Sequence, residues 1–161
     1  YKVGDVVIHY RDGLSEIIGT TIMNDTEFFL LRAKRGGDVK IYVPVLKATQ
    51  IIRPVMDKEN ADGLLKYMST ITETFIANTK QRRDDIKRRL ASGNIYDIAV
   101  LCHFYYLAFV LNQVPENVKL GQMDYEMLTN AKNFLYDELC ITYGVALEEL
   151  EKFVENRLFE I

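Results

Sequence analysis

Two hydrophobic periods divide the chain. Through about residue 55 apolar positions alternate with polar ones over short runs, the signature of strands with one buried face. Residues 3–10, 15–23, 27–33, 39–45 and 49–53 read as five such strands. Gly13, the pair Asn24-Asp25 and Gly36-Gly37 fall between them, where tight turns need residues that tolerate positive φ. Lys34, Arg35, Gly36, Gly37 and Asp38 form one exposed loop in this reading. Five short strands in so little chain predict a sheet closed on itself, which buries one face. The run KIYVPV at 40–45 sets Ile41, Val43 and Val45 on one side and Lys40, Tyr42 and Pro44 on the other. Pro44 cannot donate to a ladder, so this strand is expected at an edge, with backbone groups free to pair elsewhere.

After Pro54 the period becomes helical. Leu64, Met68, Ile71 and Phe75 recur at i, i+4, i+7 and i+11 and predict a first helix with one apolar stripe. A second is expected at about 80–91, ended by Ser92 and a left-handed Gly93. Asn94 caps a third, whose apolar positions run from Ile95 to Phe109 and make it the central helix. A connector at about 112–119 leads to a fourth helix at about 122–143, stopped by Gly144, and a last one spans about 146–159. The expected fold class is α+β: a small five-stranded β-barrel over 1–55, then an all-α bundle of about five helices over 56–161.

Composition adds limits. Hydrophobic residues make up 48% of 161, enough for a real core. The longest apolar run, 98–111, is interrupted by His103 and two tyrosines and is short of a membrane span, and YKVGDVVIHY lacks the pattern of a secretory signal, so a cytoplasmic protein is expected. The net charge of −3 hides an asymmetry, since KQRRDDIKRR at 80–89 holds six basic and two acidic residues inside an otherwise acidic helical half. At 100° per residue Lys80, Arg83 and Lys87 form one stripe, with Arg82 and Arg89 on the other flank of Ile86 and Leu90. Such a stripe tracks a phosphate backbone without reading bases. The alternative is a solvated helix laced by Asp84–Arg88 and Asp85–Arg89 pairs.

The order YKVGDVVIHYRDG, KIYVPV, IIRPV, RRDDIKRRLASGNIYDIA and YEMLTNAKNFLYDELC resembles the CarD/CdnL family of bacterial transcription regulators. Their amino-terminal domain is shared with transcription-repair coupling factor, and the likeness covers nearly the whole chain. It implies a Tudor/SH3-like barrel that docks on the β subunit of RNA polymerase by sheet extension and a helical domain that rests on promoter DNA beside the melted region. On this basis Thr21, Ile22 and Met23, with a neighbouring strand at Lys40, Ile41 and Tyr42, are expected to face the polymerase, and Thr79, Lys80, Arg82, Arg83, Lys87 and Arg88 to face DNA. Relatives typically place a wedging tryptophan where this chain has Thr79, and the chain contains none. Tyr42 stands where relatives can carry arginine. Asp124, Tyr125 and Glu126 stand where the family is basic and are expected to repel phosphate.

No enzyme chemistry emerges. Cys102 and His103, adjacent on a helix, point about 100° apart and cannot act as nucleophile and base. Cys102 and Cys140 are expected as buried small hydrophobes, His9 as a barrel-surface or turn-supporting residue, and no metal, cofactor or small-molecule substrate is implied. Tyr10, Phe28, Phe29 and Tyr42 either form an aromatic cage for a methylated cation or pack in the barrel. The rival to a polymerase- and DNA-binding regulator is a protein-interaction module whose helical half binds another protein or itself.

Overall fold

The computed structural model describes residues 1–159; the expected helical domain's residues 160 and 161 lie outside the described residues. The chain divides into two compact units, Tyr1–Met56 and Asp57–Ile161. In the first, strands β1 (Val6–His9), β2 (Gly13–Met23), β3 (Thr26–Ala33), β4 (Lys40–Pro44) and β5 (Ile52–Pro54) form one antiparallel sheet in the order β4-β3-β2-β1-β5. The sheet curls, because Val7, Ile17, Phe29, Leu31, Val43 and Ile52, drawn from all five strands, join one buried cluster with Ala48. Burying one face in this way is what lets so short a segment hold a core.

The β2–β3 connection is a two-residue hairpin in which Asn24 and Asp25 both take positive φ (51° and 62°), as the right-handed twist of the flanking strands demands. The first expected strand begins three residues late, since Gly4 at φ 96° turns the chain before Val6. The last is also shorter than expected: a 3-10 turn (Val45–Lys47) and a helical turn α1 (Ala48–Ile51) precede β5, and α1 puts Ala48 into the core.

The second unit contains α2 (Lys58–Met68), α3 (Thr79–Ala91), α4 (Ile95–Tyr105), α5 (Gln122–Tyr143) and α6 (Leu147–Phe159). Side chains of Asp57, Asn78 and Asn94 accept from backbone N–H groups at the starts of α2, α3 and α4, and Gly144 at φ 66° ends α5. Helix α4 is central, with Ile98, Ala99, Val100, Leu101, Cys102 and Phe104 buried.

Two expectations fail here. The first helix stops at Met68, so Ile71 and Phe75 are not on its stripe. The hydroxyls of Ser69 and Thr70 donate to the carbonyls of Lys66 and Tyr67 (2.6 and 2.7 Å) and close the helix, after which an irregular strap carries Phe75 onto Phe104, ring centroids 5.0 Å apart. The third helix loses its α geometry after Tyr105 and continues as a π-helical turn, Tyr106–Val110, with Leu111 N–H donating to the Tyr106 carbonyl at 2.8 Å.

Candidate docking edge and basic helix

Strand β4 is a terminal strand of the sheet, paired with β3 alone. The register opposes Phe28 to Pro44, Phe29 to Val43, Leu30 to Tyr42, Leu31 to Ile41 and Arg32 to Lys40. Pro44 has no N–H for β3, so by the alternation of antiparallel ladders Val43 and Ile41 exchange the bonds with β3. The N–H and C=O of Tyr42 and Lys40 then point out of the sheet, a free template for another strand.

The same register sorts the expected polymerase-facing residues. Thr21, Met23, Lys40 and Tyr42 share the outer face with Phe28, Leu30 and Pro44. Ile22 lies on the opposite face, 73% exposed because the hairpin runs past the end of the core, and Ile41 packs against the core cluster. The strands carrying the two trios are not neighbours, as β3 runs between them. Tyr42 is half exposed and meets Phe28 edge to face at 6.3 Å. Leu46, just beyond the edge, is 95% exposed, a feature that alternation could not reveal because the strand ends at Pro44 and the next turn is helical.

Helix α3 separates its charges into two populations. Arg82, expected among the phosphate contacts, is instead a buried structural residue, 2% exposed. Its Nε and Nη2 donate to Asp124 (3.2 and 3.1 Å), Nη1 to the carbonyls of Ile76 and Ala77, and Nη2 also to that of Lys119. All five N–H donors are used, so none is left for a phosphate. Asp124, expected on the surface, is fully buried and also accepts from the Gly121 N–H at 2.8 Å, which closes the start of α5. Burial pushes its carboxyl up, but the bonds from Arg82 and Gly121 and the charges of Arg82 and Arg83 outweigh this and hold it below the usual range. Arg83 leans the same way, its Nε 3.8 Å from Asp124, and is one-third exposed.

Lys80, Lys87 and Arg88 lie on the exposed side of α3 with Asp84, and Thr79 opens the helix, also exposed. Lys80, Lys87 and Asp84 form no ion pair among the described residues, whereas Arg88 bonds Asp85 at 2.7 Å rather than the expected Asp84. The expected Asp85–Arg89 pair is present at 3.0 Å, and Arg89 also reaches Asp97 and Glu73.

The remaining candidates resolve into packing. The buried His9 ring accepts backbone N–H bonds at Nδ1 from Arg11 and Asp12, supporting the β1–β2 turn. Burial lowers its pKa, against the pull of Asp12, so the close Asp12 carboxylate faces a neutral ring. The Cys102 thiol donates to the Ala131 carbonyl and is pushed up by burial, while His103 Nε2 bonds the Glu73 carbonyl; the two never meet. Cys140 is half-buried. Phe28 and Phe29 face opposite sides of β3 and Tyr10 stacks on His9, so the four barrel aromatics build no cage. Among the described residues no group of three His, Cys, Asp or Glu could hold a metal, and no helix is long and apolar enough to cross a membrane.

Residues 1–56 match the model of the CarD-like/TRCF RID domain, and residues 63–155 match that of the CarD C-terminal domain. The chain belongs to the CarD-like family. It is a family of non-enzymatic transcription regulators that interact with RNA polymerase, and its amino-terminal domain is Tudor-like, in agreement with the curled five-stranded sheet. No curated protein matches the chain.

Proposed function

We propose that this CarD-like chain docks on the β subunit of RNA polymerase by adding the outer edge of β4 to a sheet of that subunit, and that α3 lies along the promoter backbone. The open edge of β4 carries the reading: a short strand with outward N–H and C=O groups at Tyr42 and Lys40 offers main-chain bonds for affinity, and Thr21, Met23, Lys40, Tyr42 and Leu46 offer side chains for specificity. For DNA the available cations are Lys80, Lys87 and Arg88, with Arg83 at the margin. Thr79 sits at the position of the family's wedge but offers too little apolar surface to support an unstacked base step.

Size-exclusion co-elution with the isolated β lobe tests the docking. Tyr42→Pro removes an outward donor while sparing the ladder to β3, whereas proline at Ile41 would cut that ladder. With circular dichroism showing an unchanged fold, wild type should co-elute and Tyr42→Pro should not. Equal co-elution of both would rule out the β4 edge.

A second reading, an interaction module without DNA contact, is favoured by the burial of Arg82, the turn of Arg83 toward Asp124, and Asp84 within the basic face. Salt dependence separates the two. Phosphate contact requires promoter affinity that falls linearly in log–log against salt, and an interaction module gives none.

A further inference from the structure

The helical unit holds one lysine in an aromatic setting. Lys132, nearly buried on α5, lies 5.6 Å from the Tyr105 ring centroid and 4.9 Å from that of Tyr136, and its Nζ bonds Glu151 at 2.9 Å. Two ring faces and one carboxylate thus compensate the ammonium for lost water. A second set of the same composition opens to solvent a few residues away. The π-helical turn swings Phe109 out to 46% exposure, stacked on Tyr105 at 4.6 Å and set at 72° to Tyr125 with centroids 5.0 Å apart. These two rings form a corner, and Glu126, one residue on, is exposed and takes its hydrogen bond from the neutral Gln122 amide at 3.2 Å. Gln122, Thr129 and Asn130 complete a cleft of about 500 Å3. No lysine or arginine among the described residues pairs with Glu126 or lies over either ring.

We propose that this cleft receives an arginine or lysine side chain from a partner protein. The rings attract the cation by their quadrupoles and cover its alkyl stem, and Glu126 binds its N–H groups. The π-helical turn fits the assignment, since such turns concentrate at functional sites and this one exposes a phenylalanine that a continued α-helix would place elsewhere. The site lies wholly in the helical unit, so it stands apart from docking through β4.

NMR titration of the full chain with the peptide acetyl-Gly-Arg-Gly-amide tests it, with acetyl-Gly-Gln-Gly-amide at matched ionic strength as the neutral control. The arginine peptide should give saturable shifts centred on amides 109–110 and 122–130, with a Kd of order ~1 mM as befits one side chain. Phe109→Ala and Glu126→Gln, both at exposed side chains, should each raise the Kd by about fivefold without altering the rest of the spectrum. Equal shifts with the glutamine peptide, shifts scattered over the acidic surface, or full binding by both variants would each overturn the assignment.

Discussion

At the scale of single residues, Arg82 joins parts of the chain that no local pattern links. Its guanidinium ties the start of α3 to the strap at Ile76 and Ala77, the connector at Lys119 and the first turn of α5 through Asp124. Removing one partner of a buried ion pair leaves the other charged and dry, which costs ~3–5 kcal/mol. Arg82→Ala should therefore lower urea stability by about that amount, and the Arg82→Ala/Asp124→Ala double variant by less than the sum of the two single losses. Arg82→Lys should recover only a part, since an ammonium has three donors where five are used. Acid sharpens the same prediction. The Asp124 carboxyl is held below its value in the unfolded chain, near ~3.9, so its contribution is complete above that pH and is lost as pH falls toward and through the folded value. Asp124→Asn should be less stable than wild type at neutral pH yet lose less on acidification, with the remaining slope left to Asp62 and Asp85, whose carboxyls are also held low. Parallel acid profiles for the two proteins would remove Asp124 from the acid response. Sequence arithmetic could place Arg82 on a flank of α3, but not see that its partner arrives 42 residues later, so charge spacing read as phosphate contact what the fold uses as a staple.

Individual elements were legible to the extent that they are fixed by local chemistry. The Asn24-Asp25 hairpin, the Asn94 cap and Gly144 are where the sequence puts them, because each answers a backbone requirement within a few residues. The α2 boundary was not legible: the apolar positions at 71 and 75 keep helical phase with 64 and 68, yet the hydroxyls of Ser69 and Thr70 compete for the last carbonyls, and Phe75 is buried by contact with Phe104 from outside a helix. The π-helical turn was hidden too, since an apolar run continues through it unchanged. Helix α3 carries the prediction that belongs at this scale. Its first residue, Thr79, is exposed and lies just after the Asn78 cap, so a tryptophan there adds a large apolar surface without disturbing the cap or the Arg82 network. In the proposed orientation Thr79→Trp should lengthen open-complex lifetime in a promoter-melting assay while the circular dichroism stays unchanged. An unaltered lifetime would place the start of α3 away from the bubble edge.

For the whole molecule, the proposed function divides into two weak attachments on two compact units, a strand edge in one and a short basic face in the other. With three exposed cations around Asp84, α3 alone should hold DNA only at low salt, and each lost phosphate contact should reduce the log–log salt slope by about 1. Once the barrel is docked, however, the helical unit meets promoter DNA at the effective concentration set by the tether between the units, so a contact too weak to act freely in solution becomes sufficient. That linkage makes a specific prediction. Lys87→Ala should leave co-elution with the β lobe unchanged and weaken retention of the protein on polymerase–promoter complexes, more at low salt than at high, because the variant has the shallower salt slope. Tyr42→Pro should leave the weak binding to free DNA unchanged and lower that retention by a larger factor, and adding Lys87→Ala to it should change little further, since the second contact is only reached through the first. Independent, multiplicative losses from the two variants would mean that the units bind separately and that the barrel does not deliver the helices to DNA.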